Sequence, residues 1–108
     1  MNSEHLQSLV LDKLADLKAQ AVLALDVRKL TSIADAMIIA TGTSNRHVKA
    51  LADNVVEGAK EAGVPPIGVE GEKSGEWVLV DLGDVIVHIM QPETREFYQL
   101  EKLWDVPA

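Results

Sequence analysis

The 108 residues include no cysteine, which excludes disulfides, thiolate metal sites and cysteine nucleophiles. Basic residues are scarce as well, ten Lys and Arg against 17 Asp and Glu, for a formal charge of −7. That deficit argues against a primary hold on nucleic acid, which needs clustered cations to neutralise phosphates. It suits attraction to a basic partner. No run approaches the roughly 18 uncharged apolar residues of a membrane span. The N-terminal Met1-Asn2-Ser3-Glu4-His5 carries an acid and no basic run. Neither a signal nor a transit peptide is therefore expected, and the expected location is the cytoplasm.

What is present is a globular composition, 47% hydrophobic, over a length that fits one domain spanning residues 1–108. Such a chain buries roughly two thirds of its unfolded surface. Its charge is uneven. Residues Met1–Val64 hold eight acids and seven bases, whereas Pro65–Ala108 hold nine acids and three bases. The C-terminal part therefore carries −6 of the −7. This excess reads either as a solubilising surface or as a field that faces a cationic partner.

Leu6, Leu9, Val10, Leu14 and Leu17 form a helical stripe, with Ser3 as the expected N-cap. Ala21–Val27 suits a strand. Ala36–Ala40, apolar on both faces, suits an interior strand. Val48, Leu51, Ala52, Val55, Ala59 and Ala62 predict a second helix, capped by Thr43 or Ser44 and stopped by Gly63 and Pro65-Pro66. A short strand is expected around Ile67–Val69, followed by a loop over Glu70–Glu76. Trp77–Leu82 and Val85–Met90 make a hairpin closed by Gly83-Asp84. Pro92 starts a last helix whose apolar face is Phe97, Leu100, Leu103 and Trp104. The order is α-β-β-α-β-β-β-α, an α/β domain with three helices and a single mixed five-stranded sheet.

The two-residue turn fixes the hairpin register and hence its faces. Val78, Val80, Leu82, Val85, Val87 and Ile89 share an aliphatic face that a helix should cover. The other face pairs Asp81 with Ile86, Leu79 with His88 and Trp77 with Met90. Either a helix covers it, with Trp77 and Met90 as core and His88 hydrogen-bonded, or it is an open docking face. Three helices hardly cover both faces of five strands, so the open face is expected.

Catalytic chemistry finds no constellation. Thr41-Gly42-Thr43-Ser44 could offer amides to an anion, but it lacks Walker spacing and a Lys, and a plain N-cap explains it. Glu70 and Glu72 could present two carboxylates, yet Gly71 and Gly75 favour a loop and no third acid lies at strand spacing. His5, His47 and His88 have no metal-ligand spacing, and no acid is assigned to orient a Ser44–His47 pair. No enzyme activity, cofactor or metal is expected.

Several segments, taken in order, carry a family resemblance. Leu25-Asp26-Val27, Ile33-Ala34-Asp35, Ile38–Ser44 and Arg46-His47-Val48 make up its first half. Glu70-Gly71, Trp77–His88 and Arg95–Trp104 make up its second. From Leu6 to Trp104 the chain resembles the ribosomal silencing factor (Iojap) family. The resemblance implies a translational repressor that binds the large ribosomal subunit through large-subunit ribosomal protein fourteen. It would sterically block joining of the small subunit when nutrients are scarce. It also implies a nucleotidyltransferase-like fold without the catalytic carboxylates, and homodimers, which the family forms.

Together these readings put the partner surface on the acidic hairpin. Trp77 and Met90 would be the apolar anchor, with Leu79 and His88 beside them. Asp81 and other C-terminal acids would meet Lys or Arg of the partner. No membrane or sequence-specific nucleic acid partner is expected. Two alternatives differ in class: a nucleotidyltransferase-like enzyme using Glu70, Glu72 and a phosphate at Ser44, or an acidic homo-oligomeric adaptor unrelated to ribosomes. Tyr98 and Trp104 are expected in the core before the partner surface.

Overall fold

Three- and four-residue spacing places Leu6, Val10 and Leu14 on the buried side of a first helix, α1 (Ser3–Asp16). In this computed structural model, which describes residues 1–104, Asn2 rather than Ser3 caps it. The Asn2 side chain accepts from the His5 amide at 2.8 Å, and Ser3 is already helical. The second helix, α2 (Asn45–Glu61), is capped by Ser44 as expected and buries Val48, Leu51, Ala52, Val55 and Ala59. Among the described residues no helix is long and apolar enough to cross a membrane.

Five strands follow the expected order: β1 (Gln20–Asp26), β2 (Ala36–Thr41), β3 (Gly68–Glu70), β4 (Trp77–Asp81) and β5 (Val85–Met90). They form one sheet in the spatial order β1-β2-β5-β4-β3. Only β2 and β5 run parallel; the other neighbours are antiparallel. All six residues of β2 are buried, as an interior strand apolar on both sides requires. The hairpin register is the expected one, with Trp77 opposite Met90, Leu79 opposite His88 and Asp81 opposite Ile86. Gly83 takes φ +86, the backbone that a primed turn demands.

Pleating sends the two sets of strand side chains into separate cores. On one face Ala36, Ile38, Ala40, Val78, Val80, Val85, Val87 and Ile89 pack beneath α1 and α2. Each fully buried Val or Ile there contributes about 1.5–3 kcal/mol of burial. On the other face Met37, Ile39 and Met90 form a smaller core with Val27 and Ala34, against which Leu25, Trp77, Ile86 and Leu100 pack partly buried. At the Ala36 end this face is covered by the connection from β1 to β2, whose Val27 amide donates to the Asp35 carbonyl at 3.0 Å; Trp77 and Leu100 pack on the core that holds Met90. A loop and a few partly buried side chains thus share the work that three helices could not do, and the sheet's second face is only partly open.

The last helix is not continuous. It divides into α3 (Pro92–Tyr98) and α4 (Leu100–Trp104) at Gln99, which takes φ 48. The break scatters the expected apolar stripe: Leu100 packs on the smaller core, while Phe97 and Leu103 stand 80% and 75% exposed. The side chain of Trp104 lies outside the described residues.

Candidate docking surface

The second sheet face carries a graded series of rings. His88, on β5, is buried. The indole of Trp77, its diagonal neighbour on β4, donates from Nε1 to His88 Nδ1 at 2.9 Å. Tyr98, at the end of α3, lies over Trp77 with ring centroids 4.9 Å apart. Phe97 meets Tyr98 edge-on at 5.0 Å. From His88 to Phe97 the rings pass from buried to fully accessible, with Trp77 half-buried and Tyr98 55% exposed. Tilted and edge-on contacts of this kind add to simple burial.

The His88 bond also fixes a protonation state. A tryptophan N–H can only donate, so Nδ1 must be the acceptor and the imidazole proton sits on Nε2. Burial pushes the His88 pKa down to about 4, and the neutral ring that results is the one Trp77 needs.

Two shallow depressions flank the rings. One, of about 320 Å³, is lined by Glu70, Gly71, Trp77 and Leu79. The other, of about 250 Å³, is lined by Glu76, Gln91, Glu93, Thr94, Phe97 and Tyr98. Carboxylates edge both, and among the described residues no base lines either. The loop between them is tied down by Gln91, whose amide donates to the Glu76 carbonyl at 3.0 Å and whose Nε2 donates to the Gly75 carbonyl at 3.0 Å. Gly71 sits at φ +88, and a Cβ there would stand 1.9 Å from the Trp77 carbonyl oxygen. Gly71→Ala should therefore push the start of β4 outward. The expected cost is at least about 1 kcal/mol, a fall in Tm of roughly 4–8 °C, read by thermal denaturation.

The expected site residues are divided by this geometry. Trp77 and Leu79 lie on the accessible surface, half-buried. Met90 is fully buried beneath Trp77 in the smaller core, and His88 is 6% exposed. Expected as contact residues, both are instead buried: Trp77 bonds to His88, and Trp77 and Leu100 pack on the core that holds Met90. Asp81 lies four residues along β4 from Trp77, about 13 Å away at strand rise. Its Oδ1 accepts from the Gly83 amide at 2.9 Å, so it braces the turn and sits apart from the rings. Tyr98 is corrected from core to surface. The exposure of Phe97 and Tyr98 has no mark in the sequence, because the helix break at Gln99 leaves no periodic trace.

The residues considered for catalysis do not converge. Glu70 faces the Trp77 depression, whereas Glu72 lines a separate one with Lys49, Ala52, Asp53 and Val78. No group of three potential metal ligands occurs among the described residues. At the α2 N-terminus the Thr43 amide donates to His47 Nδ1 at 2.9 Å, and His47 Nε2 meets the Leu17 carbonyl at 2.7 Å. The loop that could cradle a phosphate is thus occupied in joining α2 to the end of α1.

Comparison with known proteins gives concordant results. The family model described as ribosomal silencing factor during starvation matches residues 1–107. A ribosomal silencing factor of Chromobacterium violaceum is 51% identical over 104 residues, 96% of this chain and 85% of that protein. A crystal structure of a protein from the same organism superposes with a TM-score of 0.95 at 49% identity, covering 100% of this chain and 92% of that one. A mouse protein named for mitochondrial assembly of the ribosomal large subunit is 41% identical over 73 residues, 65% of this chain and 32% of its own length.

Proposed function

Because the chain belongs to the ribosomal silencing factor family, we propose that it silences translation by occupying the large ribosomal subunit and blocking small-subunit joining. The contact is made through large-subunit ribosomal protein fourteen, at the exposed rings of Trp77, Tyr98 and Phe97. One observation carries this reading: the chain's graded aromatic series is edged by Glu70, Glu76 and Glu93. An apolar anchor with an acidic rim complements a basic protein, and aromatic anchors of this type dominate interface energies. The name of the mouse relative points to the same subunit.

Silencing of this kind requires occupancy and bulk, not bond chemistry. Added to separated subunits without nucleotide, the protein should co-sediment with the large subunit and lower the joined fraction in a sucrose gradient. Raising the salt should weaken that binding, since the acidic rim is exposed to screening. Failure to co-sediment, or co-sedimentation with joining intact, would overturn the proposal. The same gradient separates it from an adaptor that does not touch ribosomes.

A further inference from the structure

The helix that presents Tyr98 and Phe97 has little to hold it. α3 is seven residues long and none of them is buried. A helix this short is marginal by itself, and burial of an apolar face does not secure it. A cavity of about 400 Å³ separates it from β1 and the end of β2, with Gln20, Ala21, Thr41 and Arg95 among its walls. Among the described residues, the side-chain hydrogen bonds that cross this gap come from Arg95.

The Arg95 side chain is 14% exposed and makes three contacts on three elements. Its Nη1 donates to the Ala21 carbonyl at 2.6 Å and to Thr41 Oγ1 at 2.9 Å. Its Nε donates to Glu101 Oε1 at 3.3 Å. The first two partners lie on β1 and β2, the third on α4. An arginine fork with a fixed donor geometry suits such a junction better than a lysine would.

Two backbone outliers converge on the same residue. Among the described residues three non-glycine positions have positive φ: Lys18, Ala21 and Gln99. Ala21 lies within the β1 irregularity between Gln20 and Leu23, and its carbonyl takes the Arg95 guanidinium. Gln99 is the break between α3 and α4, and its amide donates to the Arg95 carbonyl at 2.8 Å. Residues in this region persist where surrounding contacts over-determine them, and they gather at functional sites. Side chain and main chain of Arg95 hold one each.

We propose that Arg95 is the positioning residue of the docking surface: it fastens α3 across the sheet edge, fixes the break at Gln99 and so holds Tyr98 over Trp77. This rests on the reading of the rings as the docking site. Arg95 itself points away from that surface, toward β1, and acts on a partner only through Tyr98 and Phe97.

The test uses the full chain with Trp104→Phe, so that Trp77 alone reports fluorescence. Arg95→Gln should shift Trp77 emission to longer wavelength and raise its quenching by acrylamide, as Tyr98 leaves the indole. Affinity for isolated large subunits should fall roughly five-fold or more, the size of one contributing interface contact. In a Tyr98→Ala background, Arg95→Gln should change affinity little further, because the two changes act on one element. If Trp77 emission and quenching do not move in Arg95→Gln, the proposal fails, whatever happens to binding. If they move and binding does not, Arg95 positions α3 but the rings are not the docking site. Should Arg95→Gln not fold, Thr41→Val removes one of its three contacts and is read the same way, with smaller shifts in the same direction.

Discussion

Trp77→Ala is expected to weaken binding to isolated large ribosomal subunits about thirty-fold while leaving a folded protein. The size follows from what the indole does. It joins the buried and exposed parts of the series, bonded to His88 below and in tilted contact with Tyr98 above. Truncation would remove the anchor and the platform for Tyr98 together, which is the behaviour of a hot spot worth about 2 kcal/mol or more. Trp77→Phe separates the two roles of the side chain: it keeps most of the apolar area but leaves His88 Nδ1 without its donor. A loss of only a few-fold is expected there. Circular dichroism and a thermal melt establish that each variant is folded. A folded Trp77→Ala that binds like wild type would move the docking site off this face.

Local patterns revealed the frame on which those rings are mounted. The hairpin register follows from two facts visible in the chain, a two-residue turn with Gly83 first and alternation on both sides. The burial of β2 follows from Ala36–Ala40 being apolar throughout. The expected strand around Ile67–Val69 lies one residue further on, at Gly68–Glu70, a boundary that only pairing with β4 defines. Sequence alternation also separated the two faces of the sheet, but it could not say how far each is covered. Met90 is buried in the smaller core, against which Trp77 and Leu100 pack, a long-range packing that alternation along one strand does not announce.

The break at Gln99 was hidden for a related reason. Left-handed helix ends are ordinarily marked by Gly or Asn, and a glutamine gives no such sign. Arg95 was visible as part of the C-terminal motif, yet its partners Ala21 and Thr41 lie 74 and 54 residues away. Long-range polar junctions of this kind depend on the assembled sheet. The acidic excess of the C-terminal part is correspondingly divided in its uses. Glu70, Glu76 and Glu93 edge the rings, Asp81 braces the turn, and Glu101 pairs with Arg95. Asp105 lies outside the described residues.

The buried imidazole beneath the rings leads to the second large effect, a loss of stability as pH falls from about 6.5 to about 4. His88 has an ordinary value of 6.5 and a folded value of about 4, lowered by burial. Between those values the unfolded chain binds a proton at this residue and the folded chain does not. Stability therefore rises with pH across the window and is lost on acidification. Full passage through it is worth about 3 kcal/mol, a large share of the 5–15 kcal/mol typical of a domain. Burial is the cause of the shift, and a protonated imidazole would besides have no lone pair at Nδ1 to accept the Trp77 N–H. Asp26, held near 2 by hydrogen bonds from Arg28, titrates below this window. Urea denaturation at pH 7, 6, 5 and 4 reads the slope. His88→Asn keeps an acceptor for Trp77 but cannot titrate, so its stability should start lower and vary less over the same range. Parallel pH profiles for the two proteins would remove His88 as the source of the acid sensitivity.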